Sequence, residues 1–153
     1  MFERILVAFD GSDPSKHALT HAVEVAKKFE ADVKIISVVP RVMMPVFPDE
    51  GFGAAPISAA QEFGEYQEKM TEFYKNALEE AKSSIAENAP ELEIETVLKE
   101  GRPSSTIVEV AEDYDADLIV IGSRGLGGIT GWILGSTSRR VVESCTTPIL
   151  VVK

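Results

Sequence analysis

The 153-residue chain is short of cysteine, of tryptophan and of positive charge. Its one cysteine, Cys145, rules out an intramolecular disulfide, and a chain this long needs no such staple to hold a core. Among Val141, Val142 and Ile149, Cys145 reads as a small core residue. Lys and Arg number 15 against 25 Asp and Glu, giving a net charge of −10, and no basic run occurs. A protein that grips nucleic acid by its phosphates carries a basic patch, so general nucleic-acid binding is excluded, and binding to anionic membranes with it. No apolar run approaches the roughly 20 residues a membrane span needs. The opening MFERILVAFDGS is too short and too polar for a secretory signal. The expectation is a cytoplasmic protein. Two nucleotide motifs are also missing, the Gly-Lys-Ser/Thr of a Walker A loop and the tight GxGxxG of a dinucleotide fold. His17 and His21 stand four apart, but they fall opposite the Ala18, Ala22 and Ala26 stripe with no metal-binding partner in sequence, so they read as solvent-facing.

What is present is an alternation of strands and helices. Arg4 to Phe9 (RILVAF) is a short apolar run that stops at the turn residues Asp10, Gly11, Ser12, Asp13 and Pro14. Pro14 suits the first turn of a helix capped by Ser12 or Asp13, and Ala18, Leu19, Ala22, Val23, Ala26 and Phe29 recur at helical spacing. Val33 to Val39 reads as a second strand. Residues 40–58, with four prolines and two glycines, read as an irregular loop, either a lid or a contact surface. A helix follows from about Ala59 to Asn88, with Phe63, Tyr66, Met70, Phe73, Ala77 and Ala81 as its expected apolar face. Glu93 to Leu98, Asp117 to Ile121 and Pro148 to Val152 read as strands, separated by a helix after Gly101-Arg102-Pro103, with Ile107, Val110 and Ala111 on its apolar face, and by a short one from Thr137 to about Ser144. Such alternation, with near-continuous apolar strands, predicts one α/β domain over 1–153. It is an open five-stranded parallel sheet of order 3-2-1-4-5 with helices on both faces.

In such a sheet ligands sit beyond the C-terminal strand ends where the strand order reverses, here between strands one and four. Strand one ends at Asp10 and strand four at Gly122. The second turn reads Gly122-Ser123-Arg124-Gly125, nine residues, then Gly135-Ser136-Thr137-Ser138. Glycines allow close backbone approach, and a helix starting at Ser136 offers free N–H groups and a partial positive charge to a phosphate. Glycine content alone does not separate this reading from a mobile loop with an ordinary N-cap. Arg124 reads as an exposed loop arginine within reach of a phosphate, and Trp132 as a packing anchor for the loop.

The spacing Gly122-x2-Gly125-x9-Gly135-Ser136 resembles the signature of ATP-binding universal stress proteins. The segments ILVAFDGS, Gly101-Arg102-Pro103, ADLIVIGSRG and TTPILVV are also similar to that family. The resemblance covers the whole chain and is weakest over residues 40–65. It implies a Rossmann-like fold of the adenine nucleotide alpha hydrolase type and a role in stress response. It further implies that Asp10 lies near adenine and ribose, that Val38 meets adenine through its backbone, and that Ile121 and Gly122 border the ribose. Gly125, Gly135, Ser136, Thr137 and Ser138 would wrap the phosphates. The implied ligand is ATP, with AMP or ADP as alternatives, and Mg²⁺ or Mn²⁺ would accompany the triphosphate through phosphate oxygens and water rather than a protein cage.

Ile149 to Val152 is an apolar edge strand in this order. Pairing with the same strand of a second copy would cover it, so a homodimer is expected. An efficient ATPase is not expected, because no Walker lysine occurs and the one visible base, Asp10, is equally a nucleotide ligand. A slow ATP-hydrolysing or nucleotidyl-transferring enzyme and a ligand-free protein-interaction dimer stand as the alternatives to a nucleotide-binding regulatory module.

Overall fold

The computed structural model describes residues 1–43, 57–126 and 133–153. Most of the 40–58 stretch and Trp132 therefore lie outside the described residues. Five strands form one sheet: β1 (Arg4–Ala8), β2 (Asp32–Pro40), β3 (Ile94–Gly101), β4 (Leu118–Gly122) and β5 (Ile149–Val152). All neighbours are parallel, in the order β3-β2-β1-β4-β5. The helices are α1 (Asp13–Phe29), α2 (Ile57–Asn88), α3 (Pro103–Asp113) and α4 (Ser136–Ser144). The sheet order read from the sequence is the one observed.

Two apolar layers sandwich the sheet, because successive side chains of a strand point to opposite faces. On one face Ile5, Val7, Phe9, Val33 and Ile35 meet Ala18, Leu19, Ala22 and Val23 of α1 and Leu78, Ala81 and Ile85 of α2. On the other, Leu6, Ala8, Ile36, Val38, Ile119 and Ile121 meet Ile107 and Ala111 of α3 and Val141 of α4. Cys145 is half-buried against this second layer. His17 and His21 are exposed on the outer side of α1.

Helix α1 begins where the sequence says it should. Ser12 is the N-cap, its hydroxyl accepting from Ser15 N at 3.4 Å, with Pro14 in the first turn. Helix α2 keeps Ala77 and Ala81 of the expected face on the core and departs from the rest of it. Tyr66 and Phe73 are exposed, and the buried positions are Tyr74, Leu78, Ala81 and Ile85. The cause is length. Thirty-two helical residues span about 48 Å, whereas an eight-residue strand such as β3 spans about 26 Å. Only the C-terminal half of α2 lies on the sheet, and apolar spacing in the other half does not report on the core.

Candidate functional site

Strand β1 continues to β2 on one side and is flanked by β4 on the other, so the connections leaving β1 and β4 diverge to opposite faces and open a crevice. A cleft of about 570 Å³ lies there. It is lined by all nine residues singled out from the sequence: Asp10, Val38, Ile121, Gly122, Gly125, Gly135, Ser136, Thr137 and Ser138. Ala8, Ile36 and Ile107 add an apolar floor, and Tyr74 of α2 adds a polar wall. A volume of this size suits a nucleotide-sized ligand.

The floor offers backbone groups as well as side chains. Alternate residues of a parallel strand bond to opposite neighbours. Asp32 N donates to Glu3 O and Ile36 O accepts from Phe9 N, so even-numbered β2 residues face β1, while Val33 N donates to Glu93 O on the β3 side. Strand β1 ends at Ala8. Val38, two residues past Ile36, therefore turns its N–H and C=O beyond the end of β1, toward the cleft. Just past β1, Phe9 O accepts from the Ser37 hydroxyl at 2.6 Å.

The glycines act by close approach rather than by unusual dihedrals. Gly135 has φ −61° and is the N-cap of α4. A Cβ on Gly122 would stand 2.7 Å from the Pro14 carbonyl carbon, so β4 can pass the start of α1 only without a side chain there. A Cβ on Gly125 would stand 2.6 Å from Asp10 Oδ2. Positive φ, the other expected use of glycine, occurs instead at Gly11, with φ 84°.

Asp10 is a clip. One of its carboxylate oxygens accepts from Ser12 N at 2.9 Å and from the Ser12 hydroxyl, and the other accepts from Leu126 N at 3.1 Å. It thus ties the turn after β1 to the glycine-rich segment after β4. At the far end of the cleft, α4 begins with no side chain capping it, and its first intrahelical acceptor is Gly135 O, bonded by Arg139 N at 3.0 Å. The N–H groups of Ser136, Thr137 and Ser138 precede that bond and face outward with the positive end of the helix dipole. The Ser138 hydroxyl is committed, donating to Gly122 O at 2.8 Å. Its backbone N–H, rather than its hydroxyl, is the group left to meet a phosphate.

Sequence reading passed over Tyr74. It is buried, lines the cleft, and stacks edge-on against Phe73 with ring centroids 5.6 Å apart. Burial first, then the Asp10 carboxylate and Tyr66, push its pKa above the ordinary value of 10.0, so it remains a hydrogen-bond donor. The spacing 74, 78, 81, 85 was the helical signal that could have found it. Also missed was Gln67, whose side chain brackets the chain leaving β2. It accepts from Val42 N at 3.1 Å and donates to Pro40 O at 3.3 Å. Among the described residues no group of three His, Cys, Asp or Glu side chains could hold a metal, and no helix is long and apolar enough to cross a membrane.

Comparison with known proteins gives a consistent result. The sequence profile of the Universal stress protein family matches residues 1–153. The chain is 36% identical over 155 residues to the universal stress protein MJ0531 of Methanocaldococcus jannaschii, covering 100% of this chain and 83% of that protein. The fold is similar to that of the universal stress protein UspA from Lactobacillus plantarum, with a TM-score of 0.82, 24% identity, and coverage of 99% of this chain and 98% of the other. Two further similar structures hold adenine nucleotides. One is a universal stress protein in complex with cAMP, at 28% identity and TM-score 0.68, covering 99% of this chain and 97% of that one. The other is the universal stress protein from Archaeoglobus fulgidus in complex with dAMP, at 25% identity and TM-score 0.62, covering 99% and 98%.

Proposed function

The chain belongs to the universal stress protein family, and from that premise we propose that it is a cytoplasmic, homodimeric stress-response module that binds ATP in the cleft between β1 and β4. The observation that carries this reading is the meeting, in one cleft, of two sets of backbone groups that no bond among the described residues is seen to engage. The N–H and C=O of Val38 stand over an apolar floor at one end, and the first N–H groups of α4 stand at the other. A flat base with both a donor and an acceptor on its edge matches the first set. A polyanion matches the second. Ala8, Ile36, Ile107 and Ile121 give the base apolar contact, Asp10 lies at the sugar, Ile121 and Gly122 border it, and Gly125, Gly135, Ser136, Thr137 and Ser138 surround the phosphates.

The donor set fits ATP better than it fits a protein-bound metal. Both Asp10 oxygens already accept hydrogen bonds. Mg²⁺ or Mn²⁺ would therefore travel with the triphosphate, held by phosphate oxygens and water. The same bonds argue for Asp10 as a clip and ligand rather than a base, which supports a binding module over an enzyme. The homodimer rests on β5, the sheet edge beyond β4, where Ile149, Leu150 and Val151 are only half-buried.

Thermal unfolding with and without nucleotide tests the reading. A ligand held at 100 times its Kd stabilises a folded protein by about 2.7 kcal/mol. ATP should raise the melting temperature of the wild type and leave that of Gly135→Val unmoved, although the variant folds. A Gly135→Val protein that ATP stabilises as well as the wild type would contradict the phosphate end of the site.

A further inference from the structure

Seven polar side chains line the cleft among the described residues: Asp10, Ser15, Tyr74, Arg124, Ser136, Thr137 and Ser138. Most are already engaged. Both oxygens of Asp10 accept hydrogen bonds, Ser15 donates to Ser12 O at 2.8 Å, and Ser138 donates to Gly122 O. Arg124 stands beside Gly125, in the glycine-rich segment at the phosphate end, and has interactions of its own. The hydroxyls of Ser136 and Thr137 sit on the first turn of α4, at the same end. Tyr74 is left. It comes from the opposite wall, its hydroxyl makes no hydrogen bond among the described residues, and its ring is held edge-on by Phe73 in a buried setting.

Two groups of the cleft complement each other: Asp10, whose carboxylate can only accept, and Tyr74, whose phenol can donate and lies close enough to feel the Asp10 charge. A carboxylate still has lone pairs to spare after three bonds, since its two oxygens offer about four acceptor positions. An acceptor and a donor side by side complement a group that does both. In a nucleotide that group is a ribose hydroxyl, because the base is read elsewhere and the phosphates accept only. Resting on the nucleotide reading above, we infer that Tyr74 is a sugar-recognition residue, donating to a ribose hydroxyl that in turn donates to Asp10, and that it selects ribonucleotides over deoxyribonucleotides. The raised pKa agrees with the role, since the phenol keeps its proton throughout the neutral range.

The experiment is a titration of wild type and Tyr74→Phe with ATP, 2′-deoxy-ATP and 3′-deoxy-ATP. Phenylalanine keeps the ring against Phe73 and removes only the hydroxyl, so the variant should melt with the wild type. The wild type should prefer ATP over at least one deoxy analogue by roughly 3- to 10-fold, the range of one net hydrogen bond. Tyr74→Phe should bind ATP more weakly by a similar factor and bind that analogue as the wild type does, so the ratio falls to the part that the hydroxyl's bond to Asp10 alone supplies. A purely structural tyrosine would weaken all three ligands alike and leave the ratio unchanged. An unchanged ratio, or a wild type that binds all three equally, overturns the inference while leaving ATP binding intact. A wild type that binds none overturns the nucleotide reading, and this inference with it.

Discussion

At the residue scale the motif glycines differ in what they do, although the sequence presents them alike. Gly122 is structural, because an added methyl would meet the Pro14 backbone at 2.7 Å. Gly135 has ordinary dihedrals, and an added methyl would come no closer than 3.4 Å to Arg124 Cα and Ser123 O. Gly122→Ala should therefore lose about 1–3 kcal/mol of stability through overpacking, whereas Gly135→Ala should stay within about 0.5 kcal/mol of wild type. Urea unfolding of the two variants distinguishes them, and equal losses would contradict the close-approach account. The spacing of these glycines was legible in the sequence. Their division of labour was not, because it depends on α1 crossing β4, a contact between residues more than a hundred positions apart. The commitment of Ser138 to Gly122 O was hidden because it depends on how the start of α4 returns to the end of β4.

Elements with strong periodicity over the sheet were readable. Helix α1 buries Ala18, Leu19, Ala22, Val23 and Ala26, the stripe visible in sequence, because the whole helix lies on the sheet. Its cap at Ser12 followed from local chemistry alone. Helix α2 was misread by its larger side chains. Tyr66 and Phe73 suggested a face, but they are exposed, and Leu78 and Ile85 join Ala77 and Ala81 of that face in the packing. Ile85→Ala should cost about 2–5 kcal/mol, and Tyr66→Ala about 0.5 kcal/mol or less. Chemical denaturation of both variants checks this. A larger loss at Tyr66 would restore the face read from the sequence. Tyr74 lies one residue off the stripe through Phe73 and Ala77, on the side that α2 turns into the cleft.

At the scale of the whole molecule, the sheet order expected from the sequence is the one observed, and it places two turns distant in sequence across one crevice. The turns at Asp10 and Gly122 were legible from that order, whereas Val38 and the roles of Ile121, Gly125 and 135–138 came from the family resemblance. The acidic balance of the chain does not oppose an anionic ligand, because the donors at α4 are local and backbone-derived. Away from the cleft, at the N-terminal ends of the strands, the charges are organised for packing. Lys34 lies 3.1 Å from Glu95 and 4.2 Å from the ring centre of Tyr114, and burial, followed by Asp32 and Glu95, pushes the Tyr114 phenol up to about 12. The functional asymmetry of the molecule thus runs along the sheet, with packing charges at one end and open backbone donors at the other.

The central claim is that this open end takes an adenine nucleotide, and calorimetric titration of ATP with Mg²⁺ into nucleotide-free protein tests it most directly. AMP and GTP serve as controls. The account predicts saturable binding of about one ATP per chain, weaker binding of AMP for want of the outer phosphates, and rejection of GTP, whose base edge reverses the donor and acceptor that Val38 expects. Equal binding of GTP and ATP would contradict the assignment of Val38, and the absence of saturable heat with any of the three would contradict the account as a whole.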